Sequence, residues 1–222
     1  MIFSINHTLE PDELAEIKQV LDRAEFVDGK LTAGWHAKLV KNNQQLKAGT
    51  QQALKTKIRT ALANNALFNS AVRPKLIHSI LFSRYDAGMS YDTHADNALM
   101  RVGSNFCRSD VSFTLFLNSP QDYEGGELVI EGVQEEQDYK LDAGAAIIYP
   151  SNTLHRVNRV IKGRRLVAVG WVQSLIRDAG EREILFDLET ARRAIFAKSG
   201  KTAEFDLVSK SIANLLRKWA EV

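Results

Sequence analysis

A chain of 222 residues is long enough for one large domain, or for a domain with a small addition. Hydrophobic residues make up 45% of it and charged residues 25%, which excludes an intrinsically disordered or fibrous protein. The formal charge is +2, with 29 basic and 27 acidic residues scattered along the chain, so no nucleic-acid partner is implied.

Apolar runs and cysteine content indicate the compartment. No apolar run reaches the roughly 20 residues needed to cross a bilayer, and the first residues lack the basic and apolar stretches of a secretion signal. We therefore expect a cytoplasmic protein without membrane contact. The single cysteine, Cys107, cannot form an internal disulfide or a cysteine-based zinc site, and we expect it to pack rather than react.

Residues 1–74 are predicted to be an N-terminal helical support of the core. Residues 11–24 indicate a helix that begins at Pro11, because proline suits a first helical position. The apolar face of this helix consists of Leu14, Ile17 and Leu21. A second helix is predicted near residues 50–64, where apolar residues again share one face.

Short apolar runs separated by turn residues predict at least five strands in residues 75–178. The runs are LIHSILFSRY, VSFTLFL, GELVIEGV, AAIIYP and RRLVAVGWVQ. Turn residues at 125–126, 142–144 and 162–163 favour chain reversals, and hence antiparallel pairing rather than strands that alternate with helices. We therefore predict a mainly β fold with flanking helices, in which a double-stranded β-helix, or jelly roll, forms the core.

Residues 179–222 are predicted to form a C-terminal helical hairpin. Apolar residues recur at intervals of three or four along both of its halves. They are Ile184, Leu188, Ala191 and Ile195, and then Val208, Ile212, Leu215 and Trp219. Gly200 is expected to end the first helix and Thr202 to cap the second. The hairpin packs either on the barrel or against a partner subunit, so a homo-oligomer is left open.

His94, Asp96 and His155 form a candidate metal site. His94 and Asp96 are two residues apart, so both side chains point the same way on an extended segment, although a surface hydrogen bond is the simpler interpretation of such a pair. His155, at the end of AAIIYPSNTLHRV, supplies a second imidazole. Two imidazoles and a carboxylate occupy one face of an octahedral iron(II) and leave three positions open for a co-substrate and dioxygen. This set therefore predicts a non-haem iron site.

Arg165 lies ten residues beyond His155, after a predicted turn that returns the chain beside the histidine strand. Its planar guanidinium can hold the far carboxylate of a chelating 2-keto acid through two charge-assisted hydrogen bonds. The alternative is an exposed turn residue. Strand alternation decides whether Arg164 or Arg165 points inward, and the spacing favours Arg165.

In order and spacing, these residues resemble the prolyl and lysyl hydroxylase-type branch of the iron(II)/2-oxoglutarate dioxygenases, and most of all the bacterial PKHD-type hydroxylases. The resemblance covers about residues 76–173, and the tail RDAGEREILFDLETA resembles the helical extension of that group. The matching residues and motifs are Tyr85, Gly88, Tyr91, His94, Asp96, TLFL, YEGGELVI, YPSNTLHRVNRV, Gly163, Arg165 and Trp171.

The resemblance implies that His94, Asp96 and His155 bind Fe(2+) and that Arg165 binds 2-oxoglutarate. Tyr85 is a second candidate for contact with 2-oxoglutarate, although it could equally be an aromatic residue that packs in the barrel. No catalytic side chain beyond the metal ligands is expected. Tyr91 and Trp171 are expected in the core, and the other histidines, His7, His36 and His78, are expected to pack or to lie on the surface.

The implied activity is a dioxygenase that uses dioxygen and 2-oxoglutarate to hydroxylate a substrate C–H bond, with release of succinate and CO2. The resemblance also implies L-ascorbate as an accessory reductant that keeps the iron ferrous. The prime substrate stays open between prolyl, lysyl, peptide and small-molecule acceptors. Residues 97–110 and 134–140 are candidate substrate loops, and the first could act as a lid.

Two other functions stay open at this point. A redox-inactive, cupin-like metalloenzyme such as an isomerase could use the same fold, and it would not need Arg165. A non-enzymatic iron- or oxygen-responsive binding protein would bind the same ligands without producing succinate.

Overall fold

The computed structural model describes residues 1–32, 34, 35, 37–47, 49 and 52–222, which form antiparallel sheets with helices at both ends of the chain. The helices are α1 (Pro11–Asp22), α2 (Ala37–Val40), α3 (Gln52–Asn64), α4 (Ala66–Val72), α5 (Ala179–Ser199) and α6 (Ala203–Trp219). The strands are β1 (Phe3–Ile5), β2 (Phe26–Asp28), β3 (Lys41–Asn42), β4 (Gln44–Leu46), β5 (Pro74–Asp86), β6 (Ser90–His94), β7 (Leu99–Val102), β8 (Asn105–Arg108), β9 (Val111–Phe116), β10 (Tyr123–Gly125), β11 (Leu128–Glu131), β12 (Glu136–Tyr139), β13 (Ala146–Pro150), β14 (His155–Val157) and β15 (Val160–Ser174). Short 3₁₀ helices cover Gly29–Thr32 and Pro120–Asp122.

Two sheets form the jelly roll. The major sheet has the strand order β1-β13-β9-β15-β5-β4-β2, with β10 paired to β15, and the minor sheet has the order β12-β11-β14-β6-β3. Strands β7 and β8 form a separate hairpin. Each of these pairings is antiparallel. The predicted fold class is therefore confirmed.

The central strands of the major sheet are covered on both faces. All six residues of β9 are buried, because alternate side chains enter two different clusters. Phe113 and Leu115 join the cluster that also contains residues of α1, α3 and α4. Phe116 joins a second cluster with Tyr85 and Tyr149, on the side of the minor sheet. The amino-terminal helices thus cover one face of the major sheet and leave the other face to the interior of the jelly roll.

The predicted amino-terminal helices are present. Helix α1 begins at Pro11 and buries Ile17 and Leu21, as its pattern predicts. The second predicted helix, near residues 50–64, is present as α3 over residues 52–64. Thr50 and Gln51 lie outside the described residues.

The sequence did not indicate the four strands within residues 1–74. Strand β1 pairs with β13, β4 pairs with β5, and β3 pairs with β6, so this segment extends both sheets. Each of these strands has only two or three residues, and such lengths are too short to show an alternating pattern.

The predicted turn at Lys162 and Gly163 is wrong. The reversal falls at residues 158–159, between β14 and β15, and Gly163 lies inside β15. Gly163 has φ +77°, and a Cβ there would come within 2.2 Å of the Asp122 carbonyl oxygen, so glycine permits the close approach of β10. Strand β15 belongs to the major sheet and β14 to the minor sheet. The prediction that Arg165 lies on a strand beside that of His155 is therefore wrong, because Arg165 lies on the other sheet.

The C-terminal helices pack on the barrel of the same chain. Gly200 follows α5, and the Thr202 hydroxyl accepts a hydrogen bond from the Phe205 backbone N at 3.3 Å, as predicted. Arg73, after α4, donates to the carbonyl oxygen of Leu185 in α5. Leu188 of the predicted apolar face packs in the cluster of Leu185, which is fully buried, whereas Ile184 is 48% exposed and does not belong to that face. None of the helices described is both long enough and apolar enough to span a membrane.

Candidate active site

A cavity of about 380 Å³ lies between the two sheets. Its lining includes all five residues that the sequence proposed for metal and co-substrate binding. They are Tyr85, His94, Asp96, His155 and Arg165. The tertiary structure therefore brings together side chains that are up to 80 positions apart in the sequence.

The donor atoms of His94, Asp96 and His155 lie within 4.8 Å of one another. Strand β6 ends at His94, whose partner across the strand pair is His155, and Asp96 follows two residues later. The two imidazole centroids are 4.3 Å apart, and His155 Nε2 is 4.0 Å from Asp96 Oδ2. In the part of the chain that the structure describes, no other group of His, Cys, Asp or Glu side chains converges in this way.

Both imidazoles are oriented through their Nδ1 atoms. His94 Nδ1 lies 2.8 Å from the Asp92 carbonyl oxygen, and His155 Nδ1 lies 3.0 Å from the Thr153 carbonyl oxygen. A carbonyl oxygen only accepts, so each Nδ1 carries a proton and each Nε2 is the ring nitrogen left for a metal. Burial and the neighbouring His155 lower the pKa of His94 to about 4, which keeps this ring neutral at pH 7, as metal binding requires.

Asp96 is held from the opposite sheet. Ser112 Oγ, on β9, donates a hydrogen bond of 2.6 Å to Asp96 Oδ2, and Ser112 Oγ also lies 2.7 Å from Ser151 Oγ. The hydrogen bond fixes one carboxylate oxygen and leaves Oδ1 for another partner. Partners of this kind orient metal ligands and tune their affinity. No sequence pattern indicated Ser112, because serine within an apolar strand has no motif of its own.

Replacing Ser112 with alanine is expected to lower the affinity for divalent metal by about 10- to 100-fold, because Asp96 loses the donor that orients it. Titration of the metal-free protein with Co(II) or Mn(II) measures this. Ser109→Ala is the matched control, since Ser109 is also buried but its Oγ has no hydrogen-bond partner among the described residues. Equal metal affinities in the two variants would show that the Ser112 hydrogen bond plays no part in metal binding.

Arg165 is the largest of the fully buried side chains, with 1% of its surface exposed. Strand alternation turns it into the cavity and turns Arg164 outward, where Arg164 Nε donates to Asp86 Oδ1 at 2.7 Å. The Arg165 guanidinium carbon lies 5.1 Å from the Tyr85 ring centroid and 5.5 Å from that of Phe116. These ring faces stabilise the cation without neutralising its charge.

Arg165 lacks a counter-ion. Its Nε is buried and has no hydrogen-bond partner, and no carboxylate of the described residues comes within 4.0 Å of its guanidinium. Gly126 leaves room for this side chain, since a Cβ there would lie 3.2 Å from Arg165 Cδ. A buried guanidinium without a counter-ion is costly, so the pocket is suited to an anionic ligand.

Two aromatic residues that were predicted in the core line the cavity, although Tyr91 also packs against the second hydrophobic cluster. Tyr91 is half-buried, lines the cavity and stacks on His94, with 3.6 Å between ring centroids. Trp171 also lines the cavity, and its Nε1 is buried without a partner in the described structure. Tyr85 is buried beside Arg165, and burial raises the pKa of its hydroxyl, so it is a neutral phenol at pH 7.

The two predicted substrate loops differ in whether they reach the cavity. Residues 97–110 contain the β7–β8 hairpin, which lines the cavity with Leu99, Met100 and Arg101, whereas residues 134–140 do not reach it. Cys107 is buried, as expected.

Of the other histidines, His7 and His78 lie away from the cavity lining. His7 is exposed, and His78 is buried with Nε2 3.2 Å from the Arg108 carbonyl oxygen. His36 lies outside the described residues.

Comparisons with known proteins identify relatives of this chain. Residues 80–173 match the family model described as the 2OG-Fe(II) oxygenase superfamily. Over the full length of both chains, the sequence is 69% identical to a PKHD-type hydroxylase of Gloeothece citriformis and 65% identical to one of Picosynechococcus sp..

Solved structures share the fold. A prolyl-4-hydroxylase of Pseudomonas putida matches with a TM-score of 0.53 and 23% identity, over 78% of this chain and 92% of that one. A viral collagen prolyl hydroxylase of Paramecium bursaria Chlorella virus-1, solved with 2OG, matches with a TM-score of 0.55 and 15% identity, over 78% of this chain and 96% of that one.

Proposed function

Because this chain belongs to the PKHD-type hydroxylases, within the 2OG-Fe(II) oxygenase superfamily, we propose that His94, Asp96 and His155 bind its iron and that Arg165 binds 2-oxoglutarate. Membership makes the chain an iron(II)- and 2-oxoglutarate-dependent hydroxylase. One observation carries the residue assignment: three convergent metal-binding groups share a cavity with a fully buried arginine that lacks a counter-ion.

The donor set fits ferrous iron. Two neutral imidazoles and one carboxylate, without a thiolate, are the ligands of non-haem Fe(II) oxygenases rather than of structural zinc sites. The carbonyl oxygens of Asp92 and Thr153 hold the Nδ1–H groups and so aim both Nε2 atoms away from the backbone. Ser112 restricts Asp96 to one orientation. These three contacts keep the donors in place before the metal binds.

Arg165 fits the distal carboxylate of 2-oxoglutarate. Its buried guanidinium has no carboxylate partner among the described residues and can form two parallel hydrogen bonds to a ligand carboxylate, which would supply the counter-ion. Tyr85 lies against the same guanidinium, and its neutral hydroxyl can donate a further hydrogen bond to that carboxylate. We assign Tyr85 this supporting role.

Bound iron and 2-oxoglutarate supply the oxidation of a substrate C–H bond by dioxygen, with succinate and CO2 as co-products. The chain itself contributes orientation and exclusion of water. Apolar side chains such as Leu81, Met100 and Val169 line the cavity, and they limit the access of water to the metal. The β7–β8 hairpin supplies Met100 and is the segment we propose as a lid over the site.

We further propose L-ascorbate as the accessory reductant and the cytoplasm as the compartment, where a free cysteine stays reduced. In the proposed division, residues 1–74 support the core, residues 75–178 form the dioxygenase domain and residues 179–222 form a helical extension. The acceptor is an unidentified peptidyl, amino-acid or small-molecule substrate.

The test is succinate formation by protein loaded anaerobically with Fe(II) and then given 2-oxoglutarate, L-ascorbate and air. We expect succinate with Fe(II) and none with Zn(II), and a rate that declines faster when ascorbate is omitted. Oxygenases of this kind turn over slowly without an acceptor, so an unknown substrate does not prevent the assay. Absence of succinate despite measured binding of iron and 2-oxoglutarate would favour a non-enzymatic binding protein.

A further inference from the structure

A second buried cation, Lys41, lines the same cavity as Arg165. We propose that the prime substrate carries a carboxylate and that Lys41 binds it. The proposal rests on the proposed function, because it assigns Arg165 to 2-oxoglutarate and leaves Lys41 for the other organic molecule in the reaction.

Lys41 is buried without a carboxylate partner. Only 6% of its surface is exposed, and its Nζ donates a weak hydrogen bond of 3.3 Å to Thr32 Oγ1. No acidic side chain within the described ranges comes within 4.0 Å of the Lys41 ammonium. An ammonium group taken out of water without an ion pair is costly, and such groups are usually paired or functional.

The two acidic groups that act on Lys41 from a distance are engaged elsewhere. Burial lowers the pKa of Lys41 to about 8, and the negative charges of Asp96 and Asp28 partly offset this effect. Asp96 accepts the hydrogen bond of Ser112 and belongs to the proposed metal site, and Asp28 Oδ1 accepts from the Lys30 backbone N. At pH 7 most of the Lys41 side chains are therefore protonated and lack a close anion.

The position of Lys41 suits substrate rather than 2-oxoglutarate. Lys41 lies on β3, the edge strand of the minor sheet, whereas Arg165 lies on β15 in the major sheet. Lys41 is the register partner of Tyr91, and its Nζ lies 5.4 Å from the centroid of that ring. Tyr91 in turn stacks on His94. A carboxylate held by Lys41 is thus one aromatic ring away from the proposed iron site, on the sheet that does not carry Arg165.

The apolar part of the cavity lining favours a substrate with a carbon chain. Leu81, Met100 and Val169 present apolar surface to the same cavity. An aliphatic carboxylate satisfies both features, since its head pairs with the ammonium and its chain contacts apolar side chains. Hexanoate is therefore a suitable probe, and hexanamide is its uncharged counterpart.

The experiment is ligand-observed saturation-transfer NMR with full-length protein that is loaded with Zn(II) and saturated with 2-oxoglutarate. Zn(II) prevents turnover, and 2-oxoglutarate blocks Arg165, so hexanoate reports on the remaining cavity. We expect hexanoate, but not hexanamide, to bind. We expect Lys41→Met and Lys41→Gln to weaken hexanoate binding by at least about tenfold, since each removes a charged hydrogen-bond donor. Circular dichroism checks that each variant is folded.

Lys38→Met is the matched control, because Lys38 is three residues away on α2 but exposed. It should bind hexanoate like the wild type. Equal binding by the Lys41 variants, equal binding of hexanamide, or no hexanoate binding by the wild type overturns the proposal. The succinate assay separates the two proposals: succinate without Lys41-dependent hexanoate binding leaves the proposed function intact, whereas Lys41-dependent binding without succinate leaves only the carboxylate site.

Discussion

Replacing Asp96 or His94 with alanine is expected to reduce succinate formation below detection and to lower metal affinity by more than about 100-fold. Removal of a group that only orients a ligand already costs about 10- to 100-fold, and each of these variants removes a proposed ligand itself. Both side chains lie at the cavity rather than in a hydrophobic cluster, so the fold should survive. Metal titration, succinate formation and thermal unfolding measure the three effects on each variant.

Asp92→Ala is the matched control for Asp96→Ala. Asp92 is an exposed carboxylate four residues earlier, and it contributes its backbone carbonyl rather than its side chain to the site. It should therefore bind metal and form succinate as the wild type does. Full metal binding by Asp96→Ala, or an equal loss in Asp92→Ala, would contradict the assignment of Asp96 as a ligand.

Replacing Arg165 with methionine is expected to raise the KM for 2-oxoglutarate by at least about 30-fold. Removing one partner of a buried, hydrogen-bonded charge pair costs about 2 kcal/mol or more, and 1.4 kcal/mol corresponds to a factor of ten. Methionine keeps much of the apolar volume beside Tyr85 and Phe116. Steady-state succinate formation at varied 2-oxoglutarate separates KM from kcat, and anaerobic titration of the Mn(II) form measures 2-oxoglutarate binding directly.

Arg164→Met shows whether the effect depends on position or only on charge. Arg164 is the neighbouring residue on β15, faces solvent and pairs with Asp86. Loss of an exposed ion pair of this kind changes stability by about 1 kcal/mol at most, and the KM for 2-oxoglutarate should not change. If both variants raised KM equally, Arg165 would not be the anchoring residue.

Arg165 and Lys41 are proposed to bind different molecules. Arg165 belongs to the central part of the major sheet, and Lys41 to the edge of the minor sheet. A cavity with two buried cations on different sheets can hold two anionic ligands at once, because each cation neutralises its own ligand. Loss of 2-oxoglutarate binding and loss of hexanoate binding should therefore occur in separate variants.

Local patterns in the sequence were sufficient for several features. Apolar runs bounded by turn residues predicted β5, β9, β11, β13 and β15, because alternation and chain reversal are properties of short segments. The two-residue spacing of His94 and Asp96, together with His155, predicted a group that the fold does bring together. Alternation along β15 also separated buried Arg165 from exposed Arg164.

Other features were decided by pairing between distant segments, which leaves no local signal. The sequence placed Arg165 beside the strand of His155, but the chain changes sheets after β14, and only the hydrogen-bonded partners of β15 reveal this. Ser112 reaches Asp96 because β9 faces β6 across the interior, and Lys41 reaches the cavity through a strand of two residues. Residue types and spacings thus predicted the proposed metal and co-substrate residues by themselves, whereas long-range strand pairing decided which other polar side chains surround them.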